Sequence, residues 1–456
     1  MYISQQIAAI AVSNVLSGRN LTLALPEALS GYPNATPQQC GAAADLSYGA
    51  LRFYGEVNAY LVKLLEKPLS NEHITALLLV AIYQLLHDKA DDFTVVNQAV
   101  KAASYAKPKW AKGLVNGVLR NFLRQKVALA ERIKIDEVAL YSYPQWWINK
   151  LKIQYPLKEN TANSRALNNS ALNDSPADQY TCAPKASFGS ILKTGNMHPP
   201  MTLRVNIRKS NAQEYCQLLA RQDVEAVALG GQAVMLTKPI PVELVPGFLE
   251  GVVSVQDYGA QFAAQLLDVQ PNSRVLDACS APGGKTGHVL ELADVQLTAL
   301  DNDASRLKRV ASNLARLNLK ADLALGDAGN WQTDKPFDRI LADVPCSASG
   351  IVRRHVDIKW LRREADVVSF TQQQAQILAN LWHLLSKGGK LLYVTCSIFD
   401  EENQHQIDNF LLKNTDATQL PLLLTNDTNQ NITIQYGQLI PCDVHDGFFY
   451  ALLQKN

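Results

Sequence analysis

The chain has 456 residues, of which 47% are hydrophobic and 19% charged, so it can form two or three domains with separate cores. Its net charge of +1 excludes a globally basic nucleic-acid binder, and any basic surface must be local. The apolar stretch Ile74–Leu86 is shorter than the about 20 residues that span a bilayer. Because residues 1–17 also lack the basic start of a secretory signal, we expect a cytoplasmic protein.

Seven cysteines are scattered along the chain without a C-x-x-C pair, which predicts free thiols rather than a disulfide framework or a zinc site. They are Cys40, Cys182, Cys216, Cys279, Cys346, Cys396 and Cys442. We therefore expect no metal.

Residues 1–140 carry apolar side chains at helical spacing and are predicted to form a helical bundle. Ile3, Ile7 and Ile10 share one face of a first helix that stops at Ser17 and Gly18. Further helices are predicted over Asp45–Leu65, Ile74–His87, Val95–Ala103 and Lys112–Arg124.

Residues 141–251 mix helical and strand patterns, including a strand around Met201–Asn206, and are predicted to form a small α+β module. Within this region, residues 158–196 are rich in Asn, Ser, Ala and Thr and show no sustained period. This composition indicates a flexible insertion, which we expect to be poorly ordered.

Residues 252–456 alternate apolar strands with amphipathic helices, which predicts a mostly parallel sheet with helices on both faces and room for an antiparallel edge strand. The predicted strands are Arg274–Ala278, Leu297–Leu300, Leu323–Leu325, Phe337–Ala342, Lys390–Val394 and a final pair that ends with Phe448–Leu453. Ligands of such sheets bind at the carboxyl ends of the strands.

Candidate functional residues follow those strand ends. Pro282–Gly284 form a turn that allows close backbone approach to a ligand, and Asp301, Asp327 and Asp343 follow three further strands. Each feature has a structural alternative, since a glycine turn can simply connect a strand to a helix and an aspartate can cap a helix. Together they indicate a nucleoside pocket. Cys279 stands where a P-loop needs its first glycine, and the turn is not G-x-G-x-x-G, which favours S-adenosylmethionine over a nucleoside triphosphate or a dinucleotide.

Four motifs of this region resemble the RNA 5-methylcytosine methyltransferases. They are Asp277–Lys285, Asp343–Ser347, Arg353–His355 with Asp357–Trp360, and Thr395–Ser397 with Glu401–Asn403. The N-terminal bundle, including Leu114–Arg120, resembles the NusB-type RNA-binding fold. Three departures are visible: Ser280 and Val344 replace alanine, and Val356 replaces proline, which we expect to loosen its loop.

The resemblance implies a multidomain protein with an all-α NusB-like bundle, a small α+β module and an α/β Rossmann-like class I methyltransferase domain. It also implies that Cys396 is the attacking thiol and that Cys346 helps to release the methylated product. Cytosine methylation at carbon 5 needs a thiolate, but the residues alone do not rank the two cysteines. The alternative is that both are small buried residues at strand ends.

S-adenosyl-L-methionine is the cofactor that the resemblance implies. Asp301 would hold its ribose, Asp327 would lie near its adenine, and Asp343 would touch both the donor and the cytosine edge. The turn around the methionine part would consist of Cys279, Ser280, Ala281, Pro282, Gly283, Gly284 and Lys285. A proton-transfer role for Asp343 is a hypothesis, and Cys279 is predicted to serve in packing.

Two basic clusters are candidate RNA contacts, with a solvated charged surface as the alternative for both. The first consists of Arg353, Arg354, His355 and Lys359, and the second of Lys107, Lys109, Trp110, Lys112, Arg120 and Arg124. The expected substrate is a flipped-out cytidine of small subunit (16S) ribosomal RNA, modified by a monomer without metal or membrane. The alternatives are a transfer RNA substrate and an inactive RNA-binding assembly factor.

Overall fold

A computed structural model describes residues 2–87, 90–105, 110–156, 187–425, 431–433 and 437–456. Over these residues the chain divides into two units. The first unit contains the residues up to 156 together with Ser187–Met197 and Val352–Glu364. The second contains His198–Ile351 and Ala365–Asn456. The segment Val352–Glu364, which we call the anchor segment, therefore belongs to the helical unit. In the sequence it lies within the methyltransferase-like region.

The first unit is built from helices. They are α1 (Tyr2–Leu16), α2 (Leu21–Ser30), α3 (Pro37–Arg52), α4 (Tyr54–Leu64), α5 (Glu72–His87), α6 (Asp92–Tyr105), α7 (Ala111–Ile133), α8 (Glu137–Tyr141), α9 (Gln145–Gln154) and α10 (Phe188–Thr194). Their apolar faces meet in one core, in which Ile7, Leu77 and Leu119 are fully buried. The predicted bundle is therefore confirmed, with α1 and α5 at its centre.

The single helix predicted over Asp45–Leu65 is wrong, because α3 ends at Arg52 and α4 begins at Tyr54. At the break, the ring of Phe53 stacks on that of His87 with centroids 4.1 Å apart. A tertiary contact of this kind outweighs a continuous helical pattern.

Of the insertion predicted at 158–196, residues 158–186 lie outside the described residues. The expectation of poor order does not hold for its last ten residues, where Ser187 caps α10 through reciprocal hydrogen bonds with Ser190. Phe188 and Leu192 of α10 are buried.

The small α+β module contains an antiparallel sheet with the strand order β2-β3-β1-β4. Its elements are β1 (Met201–Val205), α11 (Ala212–Ala220), β2 (Ala226–Gly230), β3 (Ala233–Leu236) and β4 (Val253–Val255). Leu203, Val205, Tyr215 and Leu219 form its core.

The large sheet of the second unit has the order β10-β14-β9-β8-β5-β6-β7. From residue 258 onwards the elements are α12 (Tyr258–Leu266), β5 (Arg274–Ala278), α13 (Gly284–Leu292), β6 (Gln296–Asp301), α14 (Ala304–Leu317), β7 (Asp322–Leu325), β8 (Phe337–Asp343), α15 (Ile358–Leu361), α16 (Glu364–Leu384), β9 (Leu385–Thr395), α17 (Gln404–Lys413), β10 (Ala417–Leu420), β11 (Leu423–Thr425), β12 (Asn431–Thr433), β13 (Gln438–Leu439) and β14 (Phe448–Lys455). Of these, α15 lies in the anchor segment of the first unit, and β11 and β12 form a separate two-stranded sheet.

Strands β5 to β9 run parallel, and β14 pairs antiparallel with β9. Consecutive strand residues enter different cores: Val275 packs with α12 and α14, whereas Leu276 packs with α16. This confirms a Rossmann-like sheet covered on both faces. The carboxyl ends of β5, β6, β8 and β9 therefore lie at one edge.

Two further observations concern the whole described chain. None of its helices is long and apolar enough to span a bilayer. Cys442 is disulfide-bonded, whereas Cys40, Cys216, Cys279, Cys346 and Cys396 are free. The prediction of free thiols is therefore wrong for Cys442.

Candidate active site

The glycine turn, which we define as residues 277–285, leads from β5 into α13. Cys279 has a φ of +66°, and Gly283, which caps the helix, has a φ of +95°. A Cβ at Gly283 would lie 3.2 Å from Cα of Val310 on α14, so glycine is required there for both conformation and space. The left-handed conformation of Cys279 costs about 1 kcal/mol and turns the chain sharply at the strand end.

A buried ion pair between β1 and α13 stabilises the glycine turn. Arg204 on β1 contacts Glu291 on α13 at 2.7 Å, and both side chains are almost fully buried. Arg204 also donates to the carbonyl of Gly284 at 2.8 Å. The small sheet therefore holds the first residue of α13 in place.

Two buried polar atoms of the turn lack a hydrogen-bond partner among the described residues, Oδ1 of Asp277 and Oγ of Ser280. The other carboxylate oxygen of Asp277 accepts from the hydroxyl of Thr286 at 2.6 Å. Burial raises the pKa of Asp277 to about 7. Unsatisfied buried groups of this kind fit a polar ligand, such as the amino acid part of S-adenosylmethionine.

Asp301 lies at the end of β6 and is 2% exposed. Its carboxylate accepts hydrogen bonds from the backbone of Ala281 and of Asp303, both at 3.1 Å, and lies 3.6 Å from the guanidinium of Arg306. Asp327 follows β7 and accepts from the backbone of Gly329. Asp301 and Asp327 are thus held by backbone groups of the loops around them.

A cavity of about 390 Å³ brings most of the predicted residues together, a volume within the range of small-ligand sites. The predicted residues that line it are Cys279, Ala281, Asp301, Asp327, Asp343, Cys346 and Cys396. Ser280, Pro282 and Lys285 are not among its lining residues, while Gly283 and Gly284 line a separate cavity of about 170 Å³ with Arg204 and Arg316.

Several lining residues were missed by sequence reasoning. They are Asn302, Arg306, Gly326, Ala328, Val344, Pro345, Ala348, Gln373 and Ile377. All but Gln373 and Ile377 lie within a few residues of a predicted strand end, so proximity to that end was a usable signal. Gln373 and Ile377 come from α16, and nothing in the sequence of that helix indicated that these two residues line a cavity.

The two cysteines meet at the cavity, with their sulfur atoms 3.4 Å apart. Each cysteine follows one of two neighbouring parallel strands. Asp343 of β8 pairs with Val394 of β9, and Cys346 and Cys396 lie shortly after these two residues. The hydrogen bond with Cys396, together with burial, raises the pKa of Cys346 well above its ordinary value. Cys346 is therefore a neutral thiol beside the sulfur of Cys396.

Lys285 and Asp343 form an ion pair of 2.6 Å at the same edge, with side chains 15% and 30% exposed. Burial alone would lower the pKa of Lys285, but the Asp343 carboxylate outweighs burial and raises it. The negative charge of a Cys396 thiolate raises it further. The side chain of Lys285, which the sequence placed only in the turn, is thus a fixed positive charge near a reactive sulfur.

The anchor segment corrects the prediction of a basic RNA-contacting loop. Arg353 and Lys359 are 1% and 0% exposed, so neither is available to a phosphate. The ammonium of Lys359 donates to the carbonyl of Arg52 and to the side chain of Asn196, both at 2.7 Å. Of the four predicted residues, Arg354 is half-buried and only His355 is exposed.

The expectation that Val356 loosens its loop is also wrong, because Val356 is 0% exposed in the core of the helical unit. In the second basic cluster, Lys107 and Lys109 lie outside the described residues. Trp110, Lys112, Arg120 and Arg124 are exposed at the start and along one side of α7. A role for that cluster in RNA binding stays a prediction.

Within the described ranges, no group of three or more His, Cys, Asp or Glu side chains is placed to hold a metal ion.

Three family models match the chain. Residues 264–454 match the 16S rRNA methyltransferase RsmB/F family, residues 3–124 the NusB family, and residues 183–243 the ferredoxin-like domain of RsmF/B-like methyltransferases. The matches fall on the large sheet, the helical unit and the small sheet respectively.

Curated relatives match over nearly the full length. The ribosomal RNA small subunit methyltransferase B of Pasteurella multocida is 37% identical, over 99% of this chain and 96% of its own. The protein of the same name from Shewanella oneidensis is 38% identical, over 98% of both chains.

Solved structures share the fold. The crystal structure of PH0851 aligns with a TM-score of 0.75 at 22% identity and covers 100% of this chain and 99% of its own. A methyltransferase homologue from Pyrococcus horikoshii aligns with a TM-score of 0.51 at 28% identity, over 59% of this chain and 90% of its own.

Proposed function

Because the chain belongs to the 16S rRNA methyltransferase RsmB/F family, we propose that it methylates carbon 5 of a cytidine in small subunit ribosomal RNA, with S-adenosyl-L-methionine as methyl donor. The observation that carries the proposal is the pair of thiols 3.4 Å apart at a cavity that the aspartates of three strand ends also line. The proposed enzyme acts as a monomer in the cytoplasm, where ribosomal RNA is made.

Cysteine chemistry explains why this site suits cytosine. Carbon 5 of cytosine is a poor nucleophile, but a thiolate that bonds to carbon 6 moves an electron pair onto carbon 5. S-adenosylmethionine supplies an electrophilic methyl group when it is bound. Carbon 5 would bond to that methyl group as the S–CH3 bond of the donor breaks and leaves S-adenosylhomocysteine, and it would then lose its proton to a basic side chain of the site. The electrons of the broken C–H bond restore the ring double bond as the cysteine sulfur leaves carbon 6. The product is 5-methylcytosine, and the attacking cysteine is regenerated as a thiolate.

The two cysteines take different roles in the proposal. Cys396 is the attacking residue, an assignment that rests on its place in the Thr-Cys-Ser motif. The raised pKa of Cys346 makes it a poor thiolate in the resting enzyme, which supports a later role in product release. The positive charge of Lys285, held by Asp343 at 2.6 Å, would stabilise negative charge that develops at this edge during the reaction.

The donor would occupy the side of the cavity lined by Asp301 and Asp327, with Asp301 on the ribose and Asp327 near the adenine. The backbone of Cys279–Lys285 would surround the methionine part. Cys279 and Ala281 support this placement, since both residues of the turn line the cavity together with Asp301 and Asp327.

Asp343 would face both the donor and the cytosine, and we propose that it takes part in proton transfer. The Asp343→Asn variant should lose turnover and keep donor affinity, whereas Asp301→Asn should lose donor affinity. Isothermal titration with S-adenosylmethionine and single-turnover methylation separate the two effects. Full turnover in Asp343→Asn would remove this role.

Bisulfite sequencing of ribosomal and transfer RNA from cells with and without the gene tests the function. The proposal expects one cytidine of small subunit ribosomal RNA to lose its protection in the deleted strain. Loss of protection only in a transfer RNA would support the alternative substrate. If no cytidine changed, the enzymatic proposal would fail in favour of an inactive RNA-binding assembly factor.

A further inference from the structure

The turn that follows β9 contains a carboxylate to which the proposed reaction gives no role. Glu402 lies in a short 3₁₀ turn, Asp400–Glu402, and its side chain is 0% exposed. A fully buried carboxylate is costly unless hydrogen bonds compensate it, and here four donors do so.

Each oxygen of Glu402 accepts two hydrogen bonds. Oε1 accepts from the backbone N–H of Ser347 at 2.7 Å and from the amide of Gln374 at 3.1 Å. Oε2 accepts from the hydroxyls of Ser347 and Ser397, the latter at 2.6 Å. Burial raises the pKa of Glu402, and the bonds from the two serines oppose that rise.

These donors tie Glu402 to both cysteine motifs. Ser347 directly follows Cys346, and Ser397 directly follows Cys396. Gln374 strengthens the same link, because its amide also donates to the carbonyl of Pro345, the residue before Cys346, at 2.9 Å. The two serine hydroxyls lie 3.3 Å apart. One carboxylate therefore bridges the loops that carry the two thiols.

We propose that Glu402 is a positioning residue that fixes the separation and orientation of Cys346 and Cys396. It contacts neither sulfur and acts through the two serines. The proposal rests on the proposed cysteine roles for its catalytic consequence, but not for its geometric one. A misplacement of about 1 Å at a reacting group can cost about 10²-fold in rate, so a bridge of this kind has a measurable effect.

The main test compares Glu402→Gln with Glu243→Gln, which removes the same charge from an exposed glutamate of another short 3₁₀ turn, Val242–Leu244. Glutamine keeps the size of the side chain, but its amide nitrogen cannot accept a hydrogen bond. We expect Glu402→Gln to lower the single-turnover methylation rate about 10- to 100-fold, with the KM for S-adenosylmethionine within about twofold of the unchanged protein. Glu243→Gln should change neither quantity.

Thiol crosslinking measures the geometry without RNA or methyl donor. Diamide, which takes up two hydrogen atoms as two thiols become a disulfide, should rapidly join Cys346 to Cys396 in the unchanged protein. Peptide mapping identifies the bond as a loss of two hydrogen masses. We expect the initial rate to fall about tenfold or more in Glu402→Gln and to stay unchanged in Glu243→Gln, with melting temperatures recorded for both.

The outcomes separate the two proposals. A crosslinking rate in Glu402→Gln equal to that of the unchanged protein would overturn the positioning role. So would a loss of donor affinity as large as the loss of methylation, because it would indicate general damage to the fold. If the unchanged protein methylates no RNA but Glu402→Gln still slows crosslinking, the reaction assignment fails while the bridge stands.

Discussion

Two lysines, Lys285 in the glycine turn and Lys359 in the anchor segment, show how differently one residue type can be used. Lys285 faces the Asp343 carboxylate at 2.6 Å, and its pKa is raised. Lys359 is fully buried against a backbone carbonyl and an amide oxygen, and burial lowers its pKa well below the ordinary value, with the Arg52 charge adding to the effect. A carboxylate partner keeps a lysine charged for chemistry, whereas neutral partners make it part of the framework.

The same contrast applies to the two segments. The glycine turn leaves buried oxygens of Asp277 and Ser280 without partners, as a binding site does. The anchor segment uses its polar groups internally: Asp357 accepts from the backbone of Leu21 at 2.8 Å, and the indole of Trp360 donates to the carbonyl of Leu51 at 2.7 Å. Contacts of this kind within the helical unit indicate a structural role for the anchor segment.

The largest expected effect concerns Asp277, whose pKa of about 7 in the folded protein lies above the value of about 3.9 in an unfolded chain. Between these values the folded protein binds the extra proton, so its free energy of unfolding falls as pH rises, by about 1.4 kcal/mol per pH unit. The total is on the order of 4 kcal/mol. Above pH 7 no further change is expected from this group.

Asp277→Asn should remove this pH dependence. Urea unfolding between pH 5 and 8 measures it, with Asp338→Asn as a control on the same sheet. An equal slope in Asp277→Asn and the unchanged protein would show that Asp277 is ionised in the fold, and would weaken the contrast between the two segments.

The next effect compares Lys285→Met with Lys359→Met, which remove the same side-chain amine from the two segments. We expect Lys285→Met to lower single-turnover methylation about 10²- to 10³-fold, because a fixed charge near the reacting groups is lost. Lys359→Met should keep the affinity for S-adenosylmethionine. Equal losses of methylation in folded samples of both variants would erase the distinction.

The free energy of unfolding should show the opposite order, with a larger loss in Lys359→Met than in Lys285→Met. Lys359→Met leaves the carbonyl of Arg52 without its donor and should cost about 1 to 3 kcal/mol of unfolding free energy at pH 7. Because the folded pKa of Lys359 is lowered, the unchanged protein should gain stability from this group as pH rises from that pKa to about 10.4, the unfolded value. Lys285, with its raised pKa, should contribute stability below about pH 10.4 that is lost as pH rises through its folded pKa. Thermal melts from pH 7 to 10 should therefore show the gain from Lys359, while the contribution of Lys285 stays constant over that range.

The smallest effect is expected at His355, the exposed member of the predicted basic loop. His355→Ala should change the free energy of unfolding by less than about 0.5 kcal/mol. It should also leave the salt dependence of RNA binding unchanged, measured by filter binding at several salt concentrations. A shallower salt slope would restore a phosphate contact to this part of the chain.

Sequence patterns were sufficient for the large sheet and for most of the cavity. Apart from β7 and β8, which have no helix between them, strands β5 to β9 alternate with helices. The carboxyl ends of such parallel strands share one edge, so the sequence could group Asp301, Asp343, Cys346 and Cys396. The separation of the two thiols could not be predicted, because it depends on the register of β8 with β9 and on the bonds around Glu402.

The errors have a common physical origin. Arg353 and Lys359 look like surface charges in sequence, but their surroundings are set by groups such as Arg52, about 300 residues away in the chain. The break at Phe53 has the same cause, since a ring contact with α5 decides it. Long-range contacts of this kind leave no periodic signal in the sequence.

The most direct test of the central claim is the identity of the cysteine that bonds to RNA. Cys346→Ala, incubated with substrate RNA and S-adenosylmethionine, should accumulate a covalent adduct on a denaturing gel, and peptide mass spectrometry should place the nucleotide on Cys396. Cys396→Ala should form no adduct and no methylated product. An adduct in Cys396→Ala that maps to Cys346 would contradict the account.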